Sequence, residues 1–303
     1  MKVLICIGGP TASGKTSLSI KLAKILKSPI ISFDSRQLYK ELDIGVAKPD
    51  TAELAMVPHY MIGNISIHRN FNAGDYEREG NIILNKLFLD HDVIVAVGGT
   101  GMYIQALIDG LDEMPEIDPV VANNVEQKYK ENGLSWLQQY VLNHDKVYAS
   151  QVDMNNPMRL LRAVKVMESS GKPFSEYRKG IRKKRDYKVM RYYINPDRDI
   201  LYDAINKRVE KMIDTGLIAE ADGLKEYRHL KALHTVGYSE LFDMLEGKVT
   251  LDEAINLIKR NSRRYGKRQI TWFKNQGDWV SLDAGMDDEN IEKIKKHLYD
   301  MEA

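Results

Sequence analysis

Residues 3–16 read VLICIGGPTASGKT, an apolar run that leads directly into a glycine-rich loop. From Gly9 to Thr16 the loop fits the pattern G-x-x-x-x-G-K-[ST] at every position, and the apolar residues before it are typical of a buried strand. Residues 16–27 then carry apolar side chains at the spacing of one helix face. Strand, loop and helix together predict an α/β core built around a phosphate-binding loop.

The residue types of this loop explain how it would hold phosphate. Gly9 and Gly14 allow the backbone to curl so that successive N–H groups point inward, and the helix that follows adds partial positive charge at its N-terminus. Lys15 would reach the terminal phosphate, and Thr16 would offer its hydroxyl to Mg²⁺, which we predict as the cofactor. The predicted phosphate-binding residues are Gly9, Pro10, Thr11, Ala12, Ser13, Gly14, Lys15 and Thr16.

Buried strands alternate with helical patterns through the first part of the chain. SPIISF (28–33) and DVIVAVGG (92–99) read as strands that are apolar on both faces, which indicates a parallel sheet covered by helices. After residue 119 the strand signal disappears, and it returns only at KVMRYYINP (188–196). We predict a P-loop NTPase-like parallel sheet core flanked by helices over 1–112 and 188–303, with an inserted helical domain over 113–187.

Charge is unevenly distributed along the chain, although the formal net charge is only +1. Residues 178–191 hold eight Lys/Arg and one Asp, and residues 258–274 hold seven Lys/Arg and no acid, so each segment carries +7. The remaining residues therefore sum to −13. Two basic segments with interleaved aromatic residues favour a nucleic-acid partner, although each could also be a solvated helix face.

Composition indicates an ordinary globular protein. The single cysteine, Cys6, lies in the first apolar run, so no disulfide can form within the chain and a buried thiol is predicted. No stretch approaches the ~18 consecutive apolar residues of a membrane span, and the N-terminal run lacks a cleavage site. We expect a cytoplasmic monomer without a membrane partner.

The loop alone leaves open what becomes of the phosphates. A nucleotide-hydrolysing enzyme usually places an acid after a later apolar strand, whereas here that strand ends in GGTG (98–101). The acid that does end a strand is Asp34, which should face the same cleft as Lys15 because both follow carboxyl ends of parallel strands. Asp34 could cap the turn that follows it, or it could accept a proton from a substrate nucleophile.

Two functions can be weighed on these residues before any resemblance is considered. A small-molecule or nucleoside kinase would use the loop and Asp34 but gives the C-terminal basic helix no role. A nucleotide-dependent RNA-binding switch would use the basic segments but needs the absent acid.

Seven motifs also occur in an order and spacing that resemble one enzyme family. They are GPTASGKT (9–16), FDSRQLYKELDIGVAKP (33–49), VPHY (57–60), VGGTGMY (97–103), RLLRAVKV (159–166), TVGYSEL (235–241) and RRYGKRQITWF (263–273). On these motifs the chain resembles the tRNA dimethylallyltransferases from about residue 3 to 280. The resemblance implies transfer of a dimethylallyl group from dimethylallyl pyrophosphate to N6 of the adenosine 3′-adjacent to the anticodon.

The resemblance also implies roles for individual residues. The loop would hold the pyrophosphate as a leaving group, with Lys15, Thr16 and Arg208 among the catalytic residues. Asp34 resembles the general base, and Thr100 resembles a threonine near the reacting centre. The partner would be the anticodon stem-loop, contacted by Asp34, Ser35, Arg36, Gln37, Thr100, Met158, Arg159, Leu160, Leu161, Arg162, Lys267, Arg268 and Gln269.

Two positions depart from the family pattern. Ala122 stands where bacterial relatives often carry an arginine that contacts tRNA, and Met158 replaces a polar residue often found before the RL pair. Both departures concern contact with RNA and leave the residues of the chemical step unchanged.

Overall fold

A six-stranded, wholly parallel sheet forms the centre of the larger of two compact units. The computed structural model describes residues 1–180 and 182–302. The larger unit comprises Met1–Ile108 and the chain from Lys184 onward, and the smaller unit is Asp109–Lys183. The strands are β1 (Val3–Gly8), β2 (Ile30–Ser32), β3 (His59–Tyr60), β4 (Val93–Val97), β5 (Lys188–Ile194) and β6 (Val280–Leu282), in the order β3-β2-β4-β1-β5-β6.

Helices account for most of the chain outside the sheet. In chain order they are α1 (Lys15–Leu26), α2 (Thr51–Met56), α3 (Ala73–Asp90), α4 (Gly101–Ile108), α5 (Pro119–His144), α6 (Lys146–Ala149), α7 (Pro157–Ser170), α8 (Arg198–Asp214), α9 (Leu217–Gly223), α10 (Tyr238–Leu245), α11 (Leu251–Asn275) and α12 (Asp287–Glu302). Short 3₁₀ turns occur at Ile44–Val46, Phe174–Glu176, Lys225–Tyr227 and Lys231–Leu233. The P-loop-like α/β architecture predicted from the sequence is confirmed.

Strand β1 is buried on both faces, as its unbroken apolar sequence predicts. It pairs with β4 on one side and β5 on the other, so that Ile7 lies opposite Val97 and Tyr192. Alternate side chains enter different cores: Ile5 packs with residues of α1 and α12, and Cys6 packs with residues of α3, α4 and α11. Cys6 is fully buried, as expected.

Helix ends follow the capping signals of the sequence. The backbone N–H of Thr250 donates to the Glu253 carboxylate at 2.8 Å, and the Glu253 N–H donates back to the Thr250 hydroxyl at 3.3 Å, which confirms the predicted capping box of α11. Helix α7 has Pro157 at its first position and ends at Gly171, whose φ of 69° is left-handed. In the part of the chain that the structure describes, no helix is long and apolar enough to cross a bilayer.

The smaller unit is a helical module with its own core. Helices α5, α6 and α7 bury residues such as Leu137, Val141 and Val164 against one another. The buried Asp145 carboxylate accepts hydrogen bonds from the Tyr148 backbone and from the Ser175 backbone and hydroxyl, at 2.7 to 2.9 Å. The unit begins and ends four residues earlier than the predicted insertion (113–187). Its predicted contact with tRNA stays a prediction.

Helix α11 lies unusually close to the carboxyl ends of β1 and β4. A Cβ atom at Gly8 would overlap the ring of Phe273, and one at Gly101 would overlap the indole of Trp272. A Cβ atom at Gly99 would overlap the amide of Gln269. Glycine at the strand ends is therefore what allows this helix to reach the sheet.

Gly98, directly after β4, is packed as closely against the end of β2, and this contact can be tested by substitution. A Cβ atom there would lie 2.6 Å from the carbonyl carbon of Phe33, whose N–H donates to Val97 in the sheet at 2.8 Å, so backbone rather than a mobile side chain must move. We expect Gly98→Ala to lower the free energy of unfolding by about 1–3 kcal/mol. Urea denaturation would measure this loss.

Gly223, at the end of α9, provides the control because no atom lies within 4 Å of a Cβ built there. Gly223→Ala should be neutral or stabilising by up to ~1 kcal/mol. Equal stability of the two variants would contradict the packing argument.

Candidate active site

A cavity of about 660 Å³ lies within the larger unit, where the carboxyl ends of β1, β2 and β4 meet. Its walls come from the phosphate loop, the segment after β2, Thr100 after β4, and helices α8 and α11. Clefts at the carboxyl ends of parallel strands are the usual ligand sites of open α/β sheets. The cavity therefore brings together residues that are more than 200 positions apart in the sequence.

The phosphate loop has the curled backbone that its glycines predict. Gly9 and Gly14 have φ values of 145° and 87°, and Gly14 directly precedes α1, whose N-terminus opens towards the loop. Ser13 is only 7 % exposed, and within residues 1–180 and 182–302 its hydroxyl has no hydrogen-bond partner. A buried polar atom of this kind usually has a ligand or water as its partner. The loop is thus shaped for a ligand with several acceptor atoms.

Two cations and one carboxylate face each other in the cavity. Desolvation, followed by the charge of Arg208, lowers the pKa of Lys15 to about 7, and the attraction of Asp34 opposes both effects. Desolvation also lowers the pKa of the Arg208 guanidinium, again against the attraction of Asp34. The Lys15 ammonium meanwhile donates to the carbonyl of Pro10 at 2.5 Å. Asp34 and Glu240 both line the cavity, but Asp34 is the carboxylate whose charge acts on the two desolvated cations. One carboxylate cannot balance both of them, so the site favours an anionic ligand.

Asp34 lies after β2 and lines the cavity, as the sequence predicts. It also caps the turn that follows, which the sequence left open as its alternative role. Its Oδ1 accepts hydrogen bonds from the backbone of Arg36 at 2.9 Å and of Gln37 at 3.4 Å, which caps the turn after β2. The structure shows no partner for Oδ2 in the part of the chain that it describes, and the residue lines the cavity. One oxygen thus fixes the carboxylate, and the other is left for a substrate proton.

Thr100 links the ends of β2 and β4. Its hydroxyl accepts from the Ser35 N–H at 3.0 Å and donates to the Ser35 hydroxyl at 3.2 Å. Tyr265 of α11, which the sequence reasoning missed, lies beside this pair and lines the same cavity. Burial, followed by the charge of Asp34, raises the pKa of the Tyr265 phenol to about 12. The signal for Tyr265 was its position four residues before Gln269, on the same helix face.

Arg36 and Gln37, predicted to contact tRNA, are engaged by backbone carbonyls. The Arg36 guanidinium donates to Ala232 at 3.0 Å and to His234 at 3.4 Å. The Gln37 amide donates to the carbonyl of Ala47 at 2.9 Å. Both side chains therefore hold loops that line the cavity, and contact with RNA stays a prediction for them.

The predicted RNA-binding residues of α11 fall into two groups. Lys267 and Arg268 are exposed, and the Arg268 guanidinium lies 5.7 Å from the centre of the Tyr265 ring. Gln269 is 6 % exposed, and its side-chain amide is bonded to the backbone of Thr11 and Gly99. Helix α11 thus turns its cations outward and Gln269 inward.

The predicted RNA-binding residues of α7 divide in the same way within the helical unit. Met158, Arg159 and Arg162 are exposed, whereas Leu160 and Leu161 are buried in the core of that unit. The two arginines lie three positions apart and share one helix face. Contact with RNA from this turn is therefore expected of the exposed residues, because the leucine side chains are occupied in packing.

A metal ion held by protein side chains alone has no evident site. Across residues 1–180 and 182–302, no group of three His, Cys, Asp or Glu residues could hold one. Thr16 and Asp34 both line the cavity. A single hydroxyl suits Mg²⁺ that takes most of its ligands from substrate phosphates and water. The residues present thus fit the predicted ion only as a companion of a bound phosphate group.

Comparison with known proteins agrees with this geometry. The family model for IPP transferase matches residues 37–276. A tRNA dimethylallyltransferase of Christiangramia forsetii is 45 % identical over 282 residues, which cover 92 % of this chain and 93 % of the relative. One of Cytophaga hutchinsonii is 42 % identical over 277 residues, 91 % of each chain. The crystal structure of the tRNA isopentenylpyrophosphate transferase of Bacillus halodurans is 33 % identical, with a TM-score of 0.73 over 99 % of this chain and 96 % of that one.

The family model covers well over half of the chain, and the relatives extend over nine-tenths of it. The resemblance seen in the motifs is therefore confirmed. The chain belongs to the IPP transferase family, that of the tRNA dimethylallyltransferases.

Proposed function

We propose that the protein transfers the dimethylallyl group of dimethylallyl pyrophosphate to N6 of the adenosine 3′-adjacent to the anticodon in tRNA and releases pyrophosphate. The observation that carries this proposal is the charge arrangement of one cavity. Lys15 and Arg208 lie close enough to Asp34 for their charges to act on one another, and all three line the same space. A diphosphate can neutralise the cations, while the carboxylate remains available to a nucleophile.

The cationic part of the cavity suits the leaving group. Pyrophosphate gains negative charge as the carbon–oxygen bond breaks, so preorganised donors bind the departing group more strongly than the intact substrate. Here the donors are the N–H groups of the loop, the Ser13 hydroxyl, Lys15 and Arg208. These groups lower the barrier because they need no rearrangement when the charge develops.

An apolar wall adjoins the cations. Ile205, Val209 and Met212 of α8 share a helix face with Arg208 and line the cavity, and Ile258 of α11 lies in the same wall. Ile205, Val209 and Ile258 are at most 3 % exposed. Such a surface accommodates a branched five-carbon chain and excludes water from the allylic carbon. This wall is less suited to the ribose or sugar acceptor of a kinase, and no observation favours the kinase alternative.

Asp34 supplies the proton acceptor. The lone pair of the adenine N6 forms the new bond to the allylic carbon, the carbon–oxygen bond electrons leave with pyrophosphate, and one N6 proton passes to the Asp34 carboxylate. The amine is a poor nucleophile because its lone pair is delocalised into the ring, so removal of the proton assists the attack. The turn that holds Oδ1 keeps the carboxylate in place for this step.

Mg²⁺ is part of the proposal. The Thr16 hydroxyl and the diphosphate oxygens would hold it. When bound, the ion neutralises charge on the leaving group. We also propose that the protein acts as a monomer.

The tRNA would be held by exposed cations and would present an extruded base. Arg264, Lys267 and Arg268 are exposed on α11, next to the cavity that Arg268 lines. Bases of a single-stranded loop can be splayed out and stacked on aromatic or guanidinium planes, which makes an anticodon loop accessible to a recessed carboxylate. Arg159 and Arg162 offer a second set of exposed cations.

Two labelled substrates and a tRNA that lacks the modification test the proposal. The protein is incubated with labelled dimethylallyl pyrophosphate, labelled ATP and tRNA that lacks the modification. We expect label from the prenyl donor in RNA and none from ATP in any acceptor. Transfer of the ATP phosphoryl group to a small acceptor, without prenylation of RNA, would establish the kinase alternative.

Asp34→Asn removes the proton-accepting carboxylate and keeps an oxygen for the turn after β2. The amide oxygen can still cap the turn, but it is a much weaker base, so kcat should fall by about 10²–10⁴-fold while the Kd for tRNA stays within about twofold. Single-turnover kinetics and filter binding measure the two quantities. Asp203→Asn, on the exposed face of α8, removes the same charge and should leave both unchanged. A loss of tRNA affinity with normal kcat would rule out Asp34 as the base.

Lys15 should make diphosphate binding depend on pH. Its pKa of about 7 in the free protein lies below that of an ordinary lysine, and a bound diphosphate should raise it. Diphosphate binding is then accompanied by proton uptake at pH values between the pKa of Lys15 in the free protein and its pKa in the complex. The affinity for diphosphate should therefore fall by up to about tenfold per pH unit from about pH 7.5 to 9. Calorimetry in buffers of different ionisation enthalpy detects the proton uptake. Lys15→Arg, which stays charged, should remove it, and uptake that persists in this variant would mean another group titrates.

A further inference from the structure

Gln269 stands apart from the basic residues that surround it in the sequence. Lys267 and Arg268, immediately before it, are exposed, whereas Gln269 is 6 % exposed. It shares its helix face with Trp272 and Phe273, which pack on the glycines at the ends of β4 and β1. Its side chain therefore points towards the sheet and the phosphate loop.

Both ends of the Gln269 amide are used, and their orientation is fixed by their partners. The Thr11 N–H can only donate, and it donates to Oε1 at 2.9 Å. The Gly99 carbonyl can only accept, and it accepts from Nε2 at 2.9 Å. A carboxamide can satisfy one donor and one acceptor at the same time because it accepts through its oxygen and donates through its nitrogen. Neither a carboxylate nor an apolar side chain of the same size can do so.

These two hydrogen bonds connect the phosphate-binding side of the cavity to the side that holds Asp34. Thr11 lies within the phosphate loop, two residues before Ser13 and four before Lys15. Gly99 directly precedes Thr100, whose hydroxyl is bonded to Ser35 next to Asp34. Through Gln269, the loop that would hold the leaving group and the segment next to the proton acceptor are held at a fixed separation.

We propose that Gln269 is a positioning residue that clamps the phosphate loop to the segment after β4 and thereby prepares the diphosphate site. This inference rests on the proposed function and adds a residue to it. Gln269 acts through Thr11 and Gly99 and contacts RNA at most indirectly. Its two backbone hydrogen bonds hold the Gln269 amide between the phosphate loop and the segment after β4, whereas Lys267 and Arg268 of the same helix are exposed.

Gln269→Leu tests the clamp in the full-length protein. The variant leaves the Thr11 N–H and the Gly99 carbonyl without their partners, so the loop loses its fixed shape. We expect the Kd for inorganic pyrophosphate and the KM for dimethylallyl pyrophosphate to rise by tenfold or more. The Kd for an anticodon stem-loop should stay within twofold. Thr271→Ala, on the exposed side of α11, is the control and should change none of these values.

Gln269→Glu tests the clamp through the pH dependence of pyrophosphate affinity, which a purely structural role of Gln269 would not change. The carboxylate can accept from Thr11 but cannot donate to Gly99, whereas the protonated acid can do both. Pyrophosphate affinity relative to wild type at the same pH should therefore be low at about pH 8 and recover towards about pH 5. Two results would overturn the proposal: loss of stem-loop affinity with unchanged pyrophosphate affinity in Gln269→Leu, or a pH-independent ratio in Gln269→Glu.

The same measurements separate this inference from the proposed function. If wild-type protein transfers no prenyl group, the proposed function fails whatever the variants do. If wild type transfers it and Gln269→Leu binds pyrophosphate as wild type does, only the clamp fails.

Discussion

The close approach of α11 to the carboxyl ends of β1 and β4 is the constraint on which the site depends. Three side chains of one helix face, Gln269, Trp272 and Phe273, occupy space that a Cβ atom at Gly99, Gly101 or Gly8 would fill. The same helix brings Tyr265 and Arg268 to the cavity and exposes Arg260, Arg264 and Lys267. Packing, the phosphate loop and the basic surface are therefore set by the position of a single helix.

The second constraint is electrostatic. Burying two cations beside one carboxylate costs free energy, which native proteins accept mainly where a ligand will compensate the charge. The depressed pKa of Lys15, about 7, is the physical sign of this cost. In the proposed reaction the cation pair is formed in advance, and the diphosphate would complete the charge balance.

Much of the fold followed from local patterns. The apolar runs that became β1, β2, β4 and β5 and the capping box of α11 are local signals, and the structure has each of them within a few residues of the predicted bounds. Strands β3 and β6 were not predicted because their two and three residues are mostly not buried and do not form an apolar run, unlike the equally short but fully buried β2. Helix α12 was missed because its sequence is mostly charged and only a few residues, such as Ile294, pack on α1 and β1.

Site residues could be predicted from the sequence where they belong to a motif with a known chemical role. Lys15, Asp34 and Thr100 do line one cavity. Gln269 was grouped with Lys267 and Arg268 by adjacency, although the helical period turns it away from Lys267 and places it on the face of Trp272. Adjacent residues of a helix point in different directions, so a basic motif in sequence is not one surface in space. Whether a polar side chain meets water or backbone depends on contacts between residues as far apart as Thr11 and Gln269, which no local pattern contains.

The helical unit leaves and rejoins the chain at neighbouring points. The Lys183 N–H donates to the carbonyl of Asp109 at 2.7 Å, so its first and last residues meet. A segment whose ends already touch adds little closure entropy whatever its length, since that cost grows only with the logarithm of the number of residues. A change in the length of this module would therefore add little closure entropy to the folding of the sheet that it interrupts.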